Sequence, residues 1–237
     1  WRDAGDEPFM VALNQQAAGV YVGRDRLASC RLAKDEGFQV AVLDDGFQHR
    51  KLRRDLDIVL FDPEEKVRLR ESVSSLGRAD VVLLKRNPAA LPRAGFAPRL
   101  PDINRFSYAV IAQGLHSVAT REPVTLEGKG AKPILAFSGI ARPERFAALL
   151  SREGIHPSET LTFPDHHSYA PGSIARVREM LERTGAGAAI TTEKDAIKLG
   201  TIPACRDLPL YYMKISLEVD PEFFDLLLSR IGPLSCA

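Results

Sequence analysis

Three short stretches of this chain carry side chains that could hold a charged ligand or move a proton. Asp44 and Asp45 stand side by side after the apolar run Val40–Leu43 and before Gly46. Adjacent carboxylates at the carboxyl end of a buried strand suit Mg²⁺, a hard cation that takes oxygen ligands and keeps phosphate oxygens and water as the rest of its shell. Taken alone, Asp-Asp-Gly is also an ordinary turn. Asp165-His166-His167 follows a strand-like run that ends at Phe163, in a loop where functional groups concentrate. Neighbouring histidines rarely point at one ion, and neither a Cys nor a third His accompanies them, which argues against zinc. Asp6, in Gly5-Asp6-Glu7-Pro8, is placed to cap a helix whose first turn suits Pro8.

The surroundings of Asp44 and Asp45 narrow the chemistry. Gly46-Phe47-Gln48-His49 comes next, then the basic cluster Arg50, Lys51, Arg53 and Arg54. Such a cluster is usually a solvated face, and beside a metal-binding acidic pair it also suits anionic substrates. An acidic pair that ends an apolar strand is the form a Walker-B element takes in P-loop nucleotide hydrolases and kinases. The whole stretch from Leu43 to Leu60 closely resembles the tetraacyldisaccharide 4′-kinases of lipid A synthesis. Gly5–Pro8, Gly139–Phe146, the set Phe163, Asp165, His166 and Tyr169, and Thr192–Asp195 resemble further motifs of that family.

The resemblance implies an ATP-dependent kinase that phosphorylates the 4′-hydroxyl of a tetraacylated glucosamine disaccharide. It implies ATP and Mg²⁺ as cofactors, with Asp44 and Asp45 at the metal. Asp6 matches the family's catalytic aspartate, and His166 would face it across a cleft between domains. An Asp–His pair there can orient the acceptor hydroxyl and share or relay its proton. Arg26, Gln48, His49, Arg70 and Glu71 are the implied substrate-binding residues. By itself Arg26 reads as a solvated helix-start residue, and Arg70 with Glu71 as a surface ion pair worth little. Thr192–Asp195 reads as helix capping in its own right, with Lys194 a minor phosphate candidate. Ser72 stands where the family carries proline, and Glu64–Val67 where a glycine-containing loop is expected. The implied partners are an acylated disaccharide lipid and the cytoplasmic leaflet of the bacterial inner membrane, approached peripherally. An anionic surface there would attract Arg50, Lys51, Arg53 and Arg54.

The elements that must position these groups alternate between strand and helix. Helices are expected from Asp6 to about Gln16 and over the residues before Glu36. Strands are expected at Val20–Val22, Val40–Leu43, Asp57–Phe61 and Ala79–Leu84, the first two and last two together making a largely parallel sheet. Residues 105–132 read as a linker or β-ribbon. Residues 133–237 read as a second α/β unit with its own parallel sheet. No G-x-x-x-x-G-K-[ST] is present, and Gly128-Lys129-Gly130 lacks the spacing. The fold class is therefore α/β: a P-loop NTPase-like parallel-sheet domain over residues 1–104 whose N-terminal part is missing, plus a smaller C-terminal α/β domain. In the family the phosphate loop lies upstream, so the chain reads as roughly the last two-thirds of a family sequence. The alternative is a catalytically inactive remnant, or a non-catalytic lipid- or nucleotide-binding fragment.

Composition sets the outer bounds. The 237 residues are 45% hydrophobic, enough for a substantial core, and the formal net charge of +1 gives no global argument for nucleic acid. Cys30, Cys205 and Cys236 are scattered, which argues against a disulfide framework or a zinc site and for a reducing compartment. No run is long and apolar enough to span a bilayer.

Overall fold

The computed structural model describes residues 4–62, 71–86, 103–126 and 132–232. In chain order its elements are α1 (Asp6–Asn14), α2 (Arg26–Asp35), β1 (Ile58–Phe61), β2 (Val81–Lys85), β3 (Asn104–Ser117), β4 (Pro123–Val124), β5 (Ile134–Ser138), α3 (Pro143–Arg152), β6 (Glu159–Thr162), α4 (Pro171–Thr184), β7 (Ala188–Thr192), α5 (Glu193–Leu199), β8 (Leu210–Val219) and α6 (Pro221–Ile231). They divide into two compact units, one of residues 1–20 with 112–216 and the other of residues 21–111 with 217–237.

In the first unit the strands run β8-β7-β5-β6, all parallel. Parallel strands covered on both faces must be apolar on both faces, and β5, β7 and the first half of β8 are, whereas β6 at the end of the strand order buries only Leu161. Leu135 and Phe137 of β5 point to one side, against Leu161, Val177, Leu181 and Tyr212. Ala136, between them, points to the other side with Phe146, Leu150, Ile190 and Met213. Helix α4 buries Ile174, Val177 and Leu181, spaced for one helical face, and ends at Gly185 in the left-handed region. Strand β7 stops at Thr192, which caps α5 and so fixes where that short helix begins.

In the second unit β1, β2 and the start of β3 pair in parallel. Val81, Leu83, Tyr108 and Phe223 pack on one face, and Leu76, Ala79 and Val82 on the other. Asp220 tethers the start of α6 by accepting from the Ser107 backbone N–H at 2.6 Å and its hydroxyl at 2.9 Å. Those two hydrogen bonds hold the Asp220 carboxyl below its ordinary range.

Two expectations about the strands need correction. Val20–Val22 and Val40–Leu43 are not buried strands: no ladder is recorded for either among the described residues, and Val42 is 92% exposed. An apolar β-branched run becomes a strand only where a neighbour takes its backbone hydrogen bonds. The expected boundaries near residues 104 and 132 also differ from the division into units. Residues 104–117 form one continuous strand, as the ribbon alternative of the linker-or-ribbon reading has it, and residues 1–20 group with 112–216. A long strand that passes from one unit into the other leaves no local sequence signal of a boundary.

Leu150 is fully buried whereas Val42 is almost fully exposed. Leu150→Ala should therefore cost about 2–5 kcal/mol in chemical denaturation, and Val42→Ser should stay within about 0.5 kcal/mol.

Candidate active site

The first unit assembles its site where α1 meets α5, through a set of polar side-chain contacts. The Asn14 amide donates to Glu193 at 2.9 Å, and Arg121 donates to the Asn14 carbonyl oxygen at 2.9 Å. Lys194 Nζ donates to Glu7 at 2.8 Å. Lys198 Nζ lies 3.1 Å from Asp6 Oδ2.

Helix α5 is fixed in turn by Asp195, which is completely buried. Its Oδ2 accepts from the Thr192 hydroxyl at 2.8 Å and from the Gly139 backbone N–H at 2.9 Å. Only glycine fits at position 139. A Cβ there would lie 2.9 Å from the His167 Cβ and 3.2 Å from Asp195 Oδ1 and the Pro164 carbonyl oxygen. The tight approach brings the loop after β5 against the loop after β6, which carries both histidines.

The two histidines face different surroundings. His166 has φ 56°, a left-handed backbone that favours glycine, and its N–H donates to the Gly139 carbonyl at 3.1 Å and to Asp165 Oδ1 at 3.0 Å. Its ring places Nδ1 3.3 Å from Asp6 Oδ2 and Nε2 3.8 Å from Asp165 Oδ2. Its side chain is 58% exposed, whereas that of Asp6 is 13% exposed. His167 stacks on Phe163 at 4.7 Å, with Nε2 2.7 Å from the Ser173 hydroxyl. Burial pushes its pKa down, the Lys198 charge adds to this, and Asp195 opposes it. His166 is thus the ring available for chemistry.

Burial raises the Asp6 pKa, but the hydrogen bond from Lys198 and the charges of Lys194 and Lys198 together outweigh it and hold the carboxyl below its usual range. Asp6 is therefore ionised at neutral pH. An ionised carboxylate against an open imidazole can accept a proton from a hydroxyl and share it.

The second unit holds the acidic pair. Asp25 caps α2, accepting from the backbone N–H groups of Leu27 at 3.0 Å and Ala28 at 3.1 Å. That places Arg26 in the first helical turn, where its guanidinium donates to the backbone carbonyls of Asp44 at 3.1 Å and Asp45 at 3.3 Å. Arg26 is thus a clamp on the turn rather than a solvated residue. Asp45 sits at φ 49°, and both acidic residues are exposed. Gln48 and Glu71 line one small cleft with Phe47, of about 100 Å³. Glu71 accepts from Arg78 at 2.8 Å and lies 3.6 Å from Arg50. The His49 N–H donates to the Gly46 carbonyl at 2.9 Å, and its own carbonyl accepts from Arg54 at 2.7 Å. Arg54 also grips Asp57 at 2.5 and 3.1 Å, so it is an internal clamp and not part of a solvated basic face. Arg70 and the Glu64–Val67 loop lie outside the described residues.

Among the described residues no three His, Cys, Asp or Glu side chains cluster as a metal cage. Two adjacent exposed carboxylates still fit Mg²⁺, which binds through one or two carboxylates plus phosphates and water.

The structure brings Asp6 and His166 together as expected, but within one unit rather than across a cleft between two. It adds Gly139, Asp195 and Lys198. The signal for Lys198 was faint: a lysine inside the apolar run Ala196-Ile197-Lys198-Leu199.

Known proteins resemble this chain over most of its length. The family model for tetraacyldisaccharide-1-P 4′-kinase matches residues 1–232. The tetraacyldisaccharide 4′-kinase of Chromobacterium violaceum is 32% identical over 96% of this chain and 66% of its own length. That of Gluconobacter oxydans is 36% identical over 84% of this chain and 58% of its own length. The chain therefore spans between 58% and 66% of these two relatives. Among solved structures, LpxK from Aquifex aeolicus, in complex with ATP, has a TM-score of 0.71 at 27% identity, covering 98% of this chain and 70% of that one.

Because the folded state lowers the Asp6 pKa, its contribution to stability is full above the unfolded carboxyl value of about 4 and is lost as pH falls through the lower folded value. The stability difference between this chain and Asp6→Asn, read by urea denaturation, should hold steady from roughly pH 5 to 7 and shrink below about pH 4.

Proposed function

This chain belongs to the tetraacyldisaccharide-1-P 4′-kinase family, and from that premise we propose that it serves transfer of the ATP γ-phosphoryl group to the 4′-hydroxyl of a tetraacylated glucosamine disaccharide. The observation that carries the proposal is the ionised Asp6 carboxylate, 3.3 Å from an exposed imidazole. In this reading Asp6 accepts the proton of the 4′-hydroxyl as its oxygen attacks the γ-phosphorus. The new O–P bond forms, the bond to the β–γ bridging oxygen breaks, and ADP leaves with that electron pair. His166 shares the proton and passes it to solvent, and Asp165 steadies the ring from its other nitrogen.

Mg²⁺ held by Asp44 and Asp45 would neutralise charge on the ATP phosphates. Arg26 fixes the turn that presents those two carboxylates. Gln48 and Glu71, which share a cleft, are assigned with His49 and Arg70 to the substrate head group. No helix among the described residues is long and apolar enough to cross a membrane. In this proposal a lipid acceptor in the cytoplasmic leaflet is approached with exposed Lys51 and Arg53 toward anionic head groups. No nucleic acid has a role in this reading.

The test is radiolabel transfer from Mg²⁺–ATP to a tetraacyl disaccharide. It is run on this chain and on this chain joined to the upstream segment of a relative. Labelled lipid is expected, and Asp6→Ala should lower kcat by about 10²–10⁴ with little change in the KM for ATP. Labelled lipid from neither protein would reduce the chain to a binding fragment.

A further inference from the structure

We propose that Lys198 is the positioning residue of the Asp6–His166 pair, holding the carboxylate and the histidine loop with one buried ammonium. The inference rests on the reading of Asp6 as the proton acceptor. Lys198 is 1% exposed, so its head group cannot reach a substrate in solvent. An ammonium has three protons, and three oxygens surround this one. They are Asp6 Oδ2 at 3.1 Å, the His167 carbonyl at 3.1 Å and Asp195 Oδ1 at 3.7 Å.

Each contact constrains a different part of the site. The bond to Asp6 Oδ2 takes that oxygen from the buried side while His166 approaches it from the open side, so the carboxylate cannot rotate away. The bond to the His167 carbonyl ties down the peptide that follows His167, one residue beyond His166, whose left-handed backbone needs such support. The third contact explains a buried carboxylate: Asp195 Oδ2 is fully used by Gly139 and Thr192, while Oδ1 makes no hydrogen bond and faces the Lys198 charge. Charged groups around Asp6 come from every neighbouring element: His166 from the loop after β6, Lys194 and Lys198 from α5, and Glu7 from α1 itself. Glu7 engages Lys194 at 2.8 Å, leaving Lys194 3.9 Å from Asp6, so the close cation is Lys198.

The experiment uses the double variant Lys198→Met/Asp195→Asn, which removes both buried charges and leaves neither unpaired, alongside Lys198→Met. Two readouts are taken. Titration of the Asp6 carboxyl by ¹³C NMR needs no turnover, and the pH profile of transfer is measured in the assay described above. The Asp6 titration should move upward in the folded double variant. The acidic limb of the kcat profile should move up with it, and kcat should fall about 100-fold with KM for ATP unchanged. An Asp6 titration that stays in place in the folded double variant overturns the role of Lys198. If the titration moves but Asp6→Asn retains full transfer activity, the reading of Asp6 as proton acceptor fails instead, and this assignment with it.

Discussion

A lysine ammonium taken out of water has to be matched by oxygens, because an unpaired buried charge costs several kcal/mol. Lys198 meets that requirement with two carboxylates and a carbonyl, and much of the first unit is arranged to deliver them. Strand β7 must end at Thr192 so that its hydroxyl can cap α5 and hold Asp195. Position 139 must lack a side chain so that the loops after β5 and β6 can close on that carboxylate. Helix α1 must dock on α5 by its polar face, since Asp6 is one of the oxygens. The ion pair is weak evidence for stability in itself. Its value is geometric: it leaves one arrangement of α1, α5 and the histidine loop in which no charge is stranded.

The acidic pair of the second unit is held by the opposite means. Arg26 grips the backbone carbonyls of Asp44 and Asp45 at an exposed turn. The positioning force of Arg26 falls on the main chain, and both acidic residues remain exposed to solvent. One carboxylate site is thus desolvated and ion-paired, and the other lies at an exposed turn.

Motifs made the chemical residues legible before any coordinates. Asp6 and His166 lie 160 positions apart, and only the family pattern joined them. Of the strands from β5 to β8, β5, β7 and the start of β8 were readable as short apolar runs, and helices α3 and α4, between β5 and β7, carry a clear apolar stripe. Val20–Val22 and Val40–Leu43 misled for a physical reason: strand propensity describes side chains, whereas a strand is a hydrogen-bonded relation to a neighbour. The limits of the units were hidden because β3 and β8 each contribute to both. Lys198 escaped notice because lysine is among the residues least often buried, so composition argues against the very role that its contacts give it.

The interleaving of the two units has a consequence for biosynthesis. Helix α1 leaves the ribosome well before α5, since its partners Glu193 and Lys194 follow 179 and 187 positions after Asn14 and Glu7. At translation rates of about 5–20 residues per second that gap is about 10–40 s. A nine-residue helix is too short to persist alone in water, so through that interval Asp6 belongs to an unformed segment of nascent chain. The Asp6–Lys198 contact is therefore formed late, and a polypeptide interrupted anywhere before α5 carries the aspartate without the ammonium beside it.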